Sequence, residues 1–432
     1  FIKKLSFQTV VYGYLLALVF LLPFIFNAGS SLSFQISKTI PLLVFVVLGI
    51  SYIVYTAFKE GRLVYSTNVP VISLIALPIV YVISAFFNHT TASGLMGAGF
   101  DTDTASFTLL LVLSALIVST VVRTRERAFY VFSAFGLSFG LLALYHLVRM
   151  FAPEVIYNLI SPSIFAARTA NTLGKWTEIG LLAGIVSITA CVSIEFLKMS
   201  RVIKTLLYVL LVTSLILVLF INFPVAIWGS FVFSYASLVG LFSLILFIYL
   251  LSSTYSHSTD GEVKKRQVPY ASLIVFIVGL LATLGYGQIN TFIFNSSSVP
   301  RTTVNYTIPT WQETTNTAWN ALKDKKLLGV GPNNFNDYFN LHRPDEINVT
   351  NAWNTEFKGG FSYVLTSVVT TGIPGLVAWL VLIVSLIYAG FRTLFGQNRD
   401  AFTSYIMTLS YVSAISFMCA LVLYNPSHAV LA

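Results

Sequence analysis

The chain has 432 residues, of which 56% are hydrophobic and only 9% are charged, and its mean hydropathy is +0.82. Soluble domains carry roughly 25% charged residues, so this composition excludes an ordinary soluble protein and indicates a polytopic membrane protein. The net charge of +9 does not indicate nucleic-acid binding, because the basic residues occur in short runs between apolar segments. The two cysteines, Cys191 and Cys419, lie in separate apolar segments and predict buried thiols rather than a disulfide or a metal site.

Apolar segments long enough to cross a bilayer recur along the whole chain, each close to the length of about 20 residues that a transmembrane helix needs. We identify eleven candidate spans: 8–27, 39–58, 69–87, 105–122, 129–150, 176–197, 203–221, 224–251, 270–293, 372–391 and 403–424. The first is too long for the apolar core of a secretory signal peptide. The sequence therefore predicts an all-α polytopic membrane protein with about eleven or twelve transmembrane helices. The chain begins at Phe1 and ends in the apolar run 429–432, so we expect further residues before it and a twelfth span or another domain after it.

The distribution of basic residues predicts how these helices are oriented. Short loops on one side of the predicted membrane hold 15 of the 25 basic residues: Lys3, Lys4, Lys59, Arg62, Arg123, Arg125, Arg127, Lys198, Arg201, Lys204, Lys264, Lys265, Arg266, Arg392 and Arg399. The positive-inside rule assigns such a side to the cytoplasm. The segments 88–104, 151–175 and 294–360 are then predicted to lie outside.

One long polar loop interrupts the apolar pattern and divides the chain into three predicted parts. Residues 1–293 form a transmembrane bundle of about nine spans, residues 294–371 form the external loop, and residues 372–432 form the C-terminal spans. A protein that is nearly all membrane but carries one elaborate polar loop usually has its function there. The loop is therefore the first place to look for a site.

Within the loop, residues 311–324 are predicted to form an amphipathic helix. Thr310 and Glu313 have the spacing of a capping box, in which each side chain accepts a hydrogen bond from the other residue's backbone N–H. A lysine-rich run closes the segment, where the helix dipole favours cations. We expect the helix to lie against the outer leaflet or the top of the bundle, with Trp311 and Trp319 on one buried or lipid-facing side.

Two glycine motifs follow this helix. The run from Gly329 through Gly331 indicates a tight turn, and it is not a phosphate-binding loop because no Gly-Lys-Ser/Thr follows. The stretch 361–391 has 31 residues, or about 46 Å of helix at 1.5 Å per residue, which exceeds a hydrocarbon thickness of about 30 Å. Gly372 and Pro374 are therefore predicted to break it into an external helix and the tenth span.

Together these features resemble the O-antigen ligase and O-antigen polymerase superfamily. The resemblance rests on Arg301 before a tryptophan-containing helix, on Gly-Val-Gly-Pro-x-x-Phe at 329–335, and on the Gly-x-x-Gly motif of Gly372 and Gly375 at the start of a span. The layout of about twelve spans, with the largest external loop near the C-terminus, agrees as well. The stretch that opens with Trp-Asn-Thr-Glu-Phe at 353–357 resembles a divergent branch found in candidate-phylum bacteria with reduced genomes.

The resemblance implies a transferase in the bacterial cytoplasmic membrane. Such an enzyme takes a glycan from an undecaprenyl-diphosphate carrier at the outer face and attaches it to a lipid, a protein or another glycan, without a metal or any other cofactor. It also implies arginines that hold the diphosphate, since a guanidinium matches its geometry. Our candidates for this role are Arg301, Arg168 and Arg343.

The chain departs from the family pattern at the residue that would serve as general base. In the family a histidine is followed directly by Ser, Asn or Gln, then by nine further residues, and then by Gly-x-x-Gly. This histidine is taken to activate the acceptor hydroxyl. Here Ser362 fits the pattern but Phe361 occupies the histidine position and cannot accept a proton. An arginine expected near the start of the span after the seventh is also absent from 222–228. Replacement bases are His342, whose pKa normally lies near neutral, and Glu356 if its carboxylate is desolvated.

Three functions therefore compete. The first is transfer or polymerisation of a lipid-linked glycan. The second is non-catalytic binding of such a glycan or anchoring of a surface polymer, which Phe361 favours. The third is secondary transport, which the near absence of charged residues in the middle of the spans disfavours.

The remaining polar residues leave alternatives open. Glu178 near a membrane boundary is either functional or an ion-pair partner of Lys175. His89 and His428 are predicted outside but isolated, whereas His146 is predicted in the core. No histidines and carboxylates occur at metal-binding spacing, so we expect no metal.

Overall fold

The computed structural model describes residues 6–26, 34–62, 68–97, 99–152, 154–155, 171–228, 231–256, 268–295, 309–349, 353–394 and 400–432. These residues are 79% helical, with one two-stranded hairpin, so the predicted all-α polytopic class is confirmed. Arg168 and Arg301, two of the predicted diphosphate ligands, lie outside the described residues.

Seventeen helices are described along the chain. They are α1 (Phe7–Leu21, extended by a 3-10 turn at Leu22–Phe24), α2 (Phe34–Glu60), α3 (Val69–Phe87), α4 (Thr91–Leu95), α5 (Ala105–Val121), α6 (Arg125–Phe151), α7 (Trp176–Phe196), α8 (Arg201–Phe220), α9 (Tyr235–Ser256), α10 (Tyr270–Leu284), α11 (Tyr286–Asn295), α12 (Trp311–Asp324), α13 (Phe335–Leu341), α14 (Asp345–Asn348), α15 (Tyr363–Leu394), α16 (Ala401–Leu423) and α17 (His428–Leu431). Nine helices of the described part are long and apolar enough to cross a membrane. The shorter apolar helices α5 and α10 account for the other two of the eleven predicted spans.

Two predicted spans differ from the structure in detail. The segment 224–251 does not begin as a helix, because Pro224–Trp228 (β1) pairs antiparallel with Phe231–Ser234 (β2) before α9 starts. Valine, isoleucine and aromatic residues favour strands, and hydropathy alone cannot separate such a strand from a membrane helix. The segment 270–293 is divided at Gly285, where α10 ends and α11 begins.

Helix α7 forms the centre of the bundle. Of its most apolar 18-residue window, 78% is buried, against 22% for α2. The helices α6, α8, α9, α10 and α16 surround it, so its side chains contact protein on all sides. Glycines allow close approach between its neighbours: a Cβ atom on Gly279 of α10 would lie 2.5 Å from the Cα atom of Gly240 on α9. Small residues at such contacts are typical of helices packed within a membrane.

The two ends of the bundle differ in character. We call the end that carries α12, α13 and α14 the loop face, and the other end the opposite face. At the opposite face, Arg125 and Asp400 form an ion pair of 2.7 Å that joins the starts of α6 and α16. At the loop face the polar segments pack on one another, and they build the candidate site.

Candidate functional site

Helix α12 is confirmed with the predicted bounds and the predicted cap. Thr310 Oγ1 accepts a hydrogen bond of 3.2 Å from the Glu313 N–H, and Glu313 Oε2 accepts one of 2.6 Å from the Thr310 N–H. The two tryptophans do not share one side, contrary to expectation. Trp311 packs edge-on against Phe361, whereas Trp319 is 62% exposed. Eight residues at 3.6 per turn separate the two rings by about 80°, which explains the difference.

The two glycine motifs of the loop bind each other. The N–H groups of Val330 and Gly331 donate to the carbonyls of Val369 and Thr370 at 3.1 and 3.0 Å. Gly372 has φ +68° and ψ −151°, so the predicted break in α15 is confirmed at this residue. Val369 and Thr370 lie just before the break, and their carbonyls accept hydrogen bonds from the glycine turn. The motif glycines therefore join the loop to the start of a transmembrane helix.

The fourth motif glycine, Gly375, packs closely against a side chain of its own helix. A Cβ atom there would collide with Thr371 Oγ1, one turn earlier on α15. The absence of a side chain at Gly375 therefore leaves room for Thr371 within α15.

Two buried side chains from distant segments hold the junction of the glycine motifs. Ser84 Oγ lies 2.6 Å from the Leu328 carbonyl and 2.8 Å from the Thr370 carbonyl, so the two carbonyl oxygens share its hydroxyl hydrogen. Asp103, only 4% exposed, accepts hydrogen bonds from Tyr81 Oη at 2.9 Å, Thr370 Oγ1 at 3.1 Å and the Asn333 N–H at 3.2 Å. Burial raises the pKa of Asp103 to about 7, although these hydrogen bonds lower it.

Beside this junction lies a cavity of about 210 Å³. Its walls come from segments that are far apart in the sequence: Gln35, residues 101–103, Lys175, Asn333, residues 356–360 and residues 425–428. We call it the loop-face cavity. A shallower depression on α11, lined by Gly287, Gln288, Thr291 and Phe292, carries no ionisable group.

The loop-face cavity brings two lysines together with three carboxyl side chains, those of Asp101, Asp103 and Glu356. Lys358 Nζ pairs with Asp101 Oδ1 at 3.0 Å. Lys175 Nζ donates to the Asn425 carbonyl at 3.1 Å. Glu356 lines the same cavity with an exposed carboxylate that has no partner among the described residues. The site therefore holds two ammonium groups, one of them paired with Asp101, and a carboxylate without a partner among the described residues.

Glu178 builds one wall of the cavity through the turn that precedes α17. Its Oε1 accepts the Ser427 N–H at 2.6 Å, and its Oε2 accepts the Ser427 hydroxyl at 2.7 Å and the Lys175 N–H at 3.1 Å. Glu178 thus accepts a hydrogen bond from the backbone of Lys175, and its carboxylate forms no ion pair with the Lys175 ammonium group. The Asn425 amide continues the wall by donating to the Gly360 carbonyl at 3.1 Å.

His428 also lines the cavity, although the sequence indicated an isolated histidine. Its Nε2 donates to the Phe100 carbonyl at 2.6 Å, and its ring lies 4.6 Å from that of Phe107. Burial lowers the pKa of His428, so the ring is neutral near pH 7. The two bonded residues are 328 positions apart, and no local pattern could have joined them.

Phe361 and Ser362 have structural contacts in place of reactive ones. The Phe361 ring packs between those of Trp311 and Tyr424, at 6.4 and 6.3 Å, and it is not among the cavity-lining residues. Ser362 is fully buried, and its Oγ accepts the Leu365 N–H at 3.1 Å. Ser362 therefore caps the start of α15.

The other predicted site residues of the loop lie away from the cavity walls. His342 Nε2 is 3.9 Å from Asp324, and its ring is 4.7 Å from that of Tyr338. The guanidinium of Arg343 lies 5.6 Å from the ring of Phe357, which does line the cavity. The structure thus brings Glu356 to the cavity but places neither His342 nor Arg343 on its wall.

A second group of buried polar side chains lies at the loop-face ends of α6 and α7. His146 is fully buried, as predicted, and its ring meets that of Trp176 edge-on at 5.5 Å. Both ring nitrogens of His146, Trp176 Nε1 and Thr172 Oγ1 have no hydrogen-bond partner among the described residues. Buried polar atoms of this kind normally have hydrogen-bond partners.

In the part of the chain that the structure describes, no three His, Cys, Asp or Glu side chains form a group that could hold a metal ion. Cys191 and Cys419 are free thiols, and Cys191 is buried as predicted, whereas Cys419 is only half-buried. No protein-family model matches this chain, and no curated protein matches it. Membership of the O-antigen ligase superfamily stays a prediction that rests on the motif residues.

Proposed function

We propose that this protein transfers or polymerises a glycan that is carried on a polyprenyl diphosphate. The observation that carries the proposal is the loop-face cavity, where Glu356, Lys175 and Lys358 meet in a protein with few charged residues. Polar groups assembled from distant segments at one end of a membrane bundle are expensive to maintain and usually functional. The motif resemblance supplies the reaction class.

The cavity is suited to the reacting part of the donor rather than to a whole glycan. Its volume of about 210 Å³ is below the roughly 300–1,000 Å³ of typical ligand pockets. Lys175 and Lys358 would attract the diphosphate by charge. Asp101, which pairs with Lys358, holds that lysine at the wall and would release it to a stronger anion.

The proposed reaction is a substitution at the sugar carbon that carries the diphosphate. The acceptor hydroxyl oxygen forms a bond to that carbon, and the bond from carbon to the diphosphate oxygen breaks. The polyprenyl diphosphate leaves with the bonding electrons, and Glu356 takes the hydroxyl proton as general base. Lys358 and Lys175 would stabilise the charge that develops on the leaving group.

The proposal places the protein in a bacterial cytoplasmic membrane with the loop face outside, and its acceptor is a lipid, a protein or another glycan. The basic residues near the opposite face support this orientation through the positive-inside rule. Labelling tests it: an impermeant maleimide applied from outside should modify Leu341→Cys but not Lys59→Cys. The reverse result would invert the topology.

A second candidate function is binding of a polyprenyl-linked glycan without catalysis. The observation that favours it is the packing of Phe361 between Trp311 and Tyr424 at the place where the resemblance expects a base. In this case the cavity would hold the donor, but no hydroxyl would be activated.

Binding and turnover in lipid nanodiscs separate these functions. The probe for binding is undecaprenyl diphosphate, and lipids that co-purify with the protein are identified by mass spectrometry. Lys358→Met should weaken binding several-fold and Lys358→Arg should restore it, whereas Lys59→Met, at the end of α2 on the opposite face, should have no effect. Equal binding by Lys358→Met would remove the donor from this cavity. Binding without release of undecaprenyl diphosphate, when co-purified glycolipid and acceptor are present, would favour the non-catalytic function.

A further inference from the structure

Helix α12 has one face that the bundle covers and one that it leaves open. Thr314, Thr317, Ala318 and Ala321 are buried, and Thr314 Oγ1 accepts the N–H of Phe361 at 2.8 Å. These short side chains let the helix lie directly on the loop-face end of α15. A large apolar ring on the uncovered side is therefore not needed for packing within the protein.

That uncovered side carries an aromatic ring together with a basic run. Trp319 is 62% exposed, and Lys323 Nζ lies 5.3 Å from the centre of its ring. Lys325 and Lys326 follow with exposed side chains, and Leu327 is 71% exposed. We call these five residues the α12 patch.

The single acidic residue within this run does not neutralise it. Asp324 accepts a hydrogen bond of 2.8 Å from Tyr338 Oη and lies 3.9 Å from His342 Nε2, so it is directed toward α13. Three lysines against one engaged carboxylate leave the patch with an excess of positive charge. A surface of this composition is complementary to an anionic partner.

Backbone contacts fix the height of the patch relative to the transmembrane helices. The Lys326 carbonyl accepts the N–H of Ile373 at 3.0 Å, and the next carbonyl but one, that of Leu328, accepts from Ser84 Oγ. Ile373 is 45% exposed at the start of the membrane-spanning part of α15, and Ser84 is in the last turn of α3. Beside it at the end of α3, Phe86 and Phe87 are exposed apolar side chains. The patch therefore lies level with the loop-face ends of the apolar helices α3 and α15.

We propose that the α12 patch binds the headgroups of anionic phospholipids at the loop face of the membrane. Tryptophan and lysine are enriched at this depth, because an indole ring suits the interface and a lysine chain reaches from apolar surroundings to the phosphates. Lys323 against the Trp319 ring would present its ammonium beside the phosphate while the ring enters the interface. Leu327 would add apolar contact with the acyl chains. This inference is independent of the proposed glycan transfer.

Fluorescence quenching tests the position of the patch. The protein is placed in nanodiscs of phosphatidylcholine with brominated acyl chains, and emission is compared between the wild type and Trp319→Phe. Trp319 should account for a component that brominated lipid quenches. Trp311→Phe is the matched control on the same helix, because that ring packs on Phe361, and this variant should retain the quenched component. A Trp319 component that brominated lipid leaves unchanged would overturn the proposal and indicate a water-facing surface for a soluble acidic partner.

Lipid counting tests the charge. Native mass spectrometry of nanodiscs that contain phosphatidylglycerol should show less retained anionic lipid for the triple variant Lys323→Gln, Lys325→Gln, Lys326→Gln. The expected loss of affinity is about five-fold for each lysine removed. The corresponding triple arginine variant should retain the lipid, and both variants should keep the melting temperature of the wild type because the three side chains are exposed. Equal retention by the glutamine variant would contradict the proposal.

Discussion

Gly329 and Gly372 lie so close together that neither position has space for a Cβ atom. A Cβ on Gly372 would be 2.5 Å from the Gly329 nitrogen, and a Cβ on Gly329 would be 2.5 Å from the Val369 carbonyl oxygen. Both glycines also have positive φ, at +65° and +68°. One belongs to the turn of the loop and the other to the break in α15, so their contact fixes the loop to the bundle.

The variant Gly372→Ala should be strongly destabilised for this reason. Its φ and ψ fall in a region that is essentially confined to glycine, and such strain costs about 1–3 kcal/mol before any collision with Gly329 is counted. Thermal unfolding in detergent measures the effect. Gly13→Ala is the control, since nothing lies within 4 Å of a Cβ atom there and alanine favours a helix. Equal melting temperatures for the two variants would contradict the role of the contact.

Asp103 should make stability depend on pH. Its pKa is about 7 in the folded protein and near the usual aspartate value of 3.8 when unfolded, so the folded state binds an extra proton between these values. The resulting stabilisation is complete below about pH 4 and is lost as the pH rises through 7, with a full size on the order of 4 kcal/mol. Between pH 5 and pH 8 the melting temperature should therefore fall more steeply for the wild type than for Asp103→Asn, which cannot ionise. Parallel curves would show that Asp103 does not titrate in this range.

Features that depend on neighbours in the sequence were predictable. The spans follow from local hydropathy, and the α12 cap and the break at Gly372 follow from the conformational preferences of single residues. The loop-face cavity was not predictable, because its walls join positions as far apart as Gln35 and His428 and no periodicity links them. The β1–β2 hairpin was missed for a different reason: its residues are as apolar as those of a membrane helix.

Glu178 should be essential for the wall of the cavity that contains Ser427. The variant Glu178→Gln replaces one acceptor oxygen with an NH₂ group that faces backbone or hydroxyl donors. Losing a hydrogen bond to a charged group of this kind costs about 1.5–3 kcal/mol, and thermal unfolding should show it. Glu356→Gln is the matched control, because the carboxylate of Glu356 has no partner among the described residues and its stability should not change. A wild-type melting temperature for Glu178→Gln would show that the Ser427 turn is held by other contacts.

The same Glu356→Gln variant decides between the two proposed bases. Glu356 lines the loop-face cavity beside Lys358, whereas His342 contacts Asp324 and Tyr338 and does not line the cavity. A general base must reach the proton it removes, directly or through one water, so only Glu356 is placed to act on a hydroxyl in the cavity. Glu356→Gln should lower the rate of glycan transfer by about 10²–10⁴-fold while retaining undecaprenyl diphosphate binding. His342→Ala should keep the wild-type rate. Full activity of Glu356→Gln would exclude it as the base, and loss of activity in His342→Ala alone would require α13 to move His342 into the cavity.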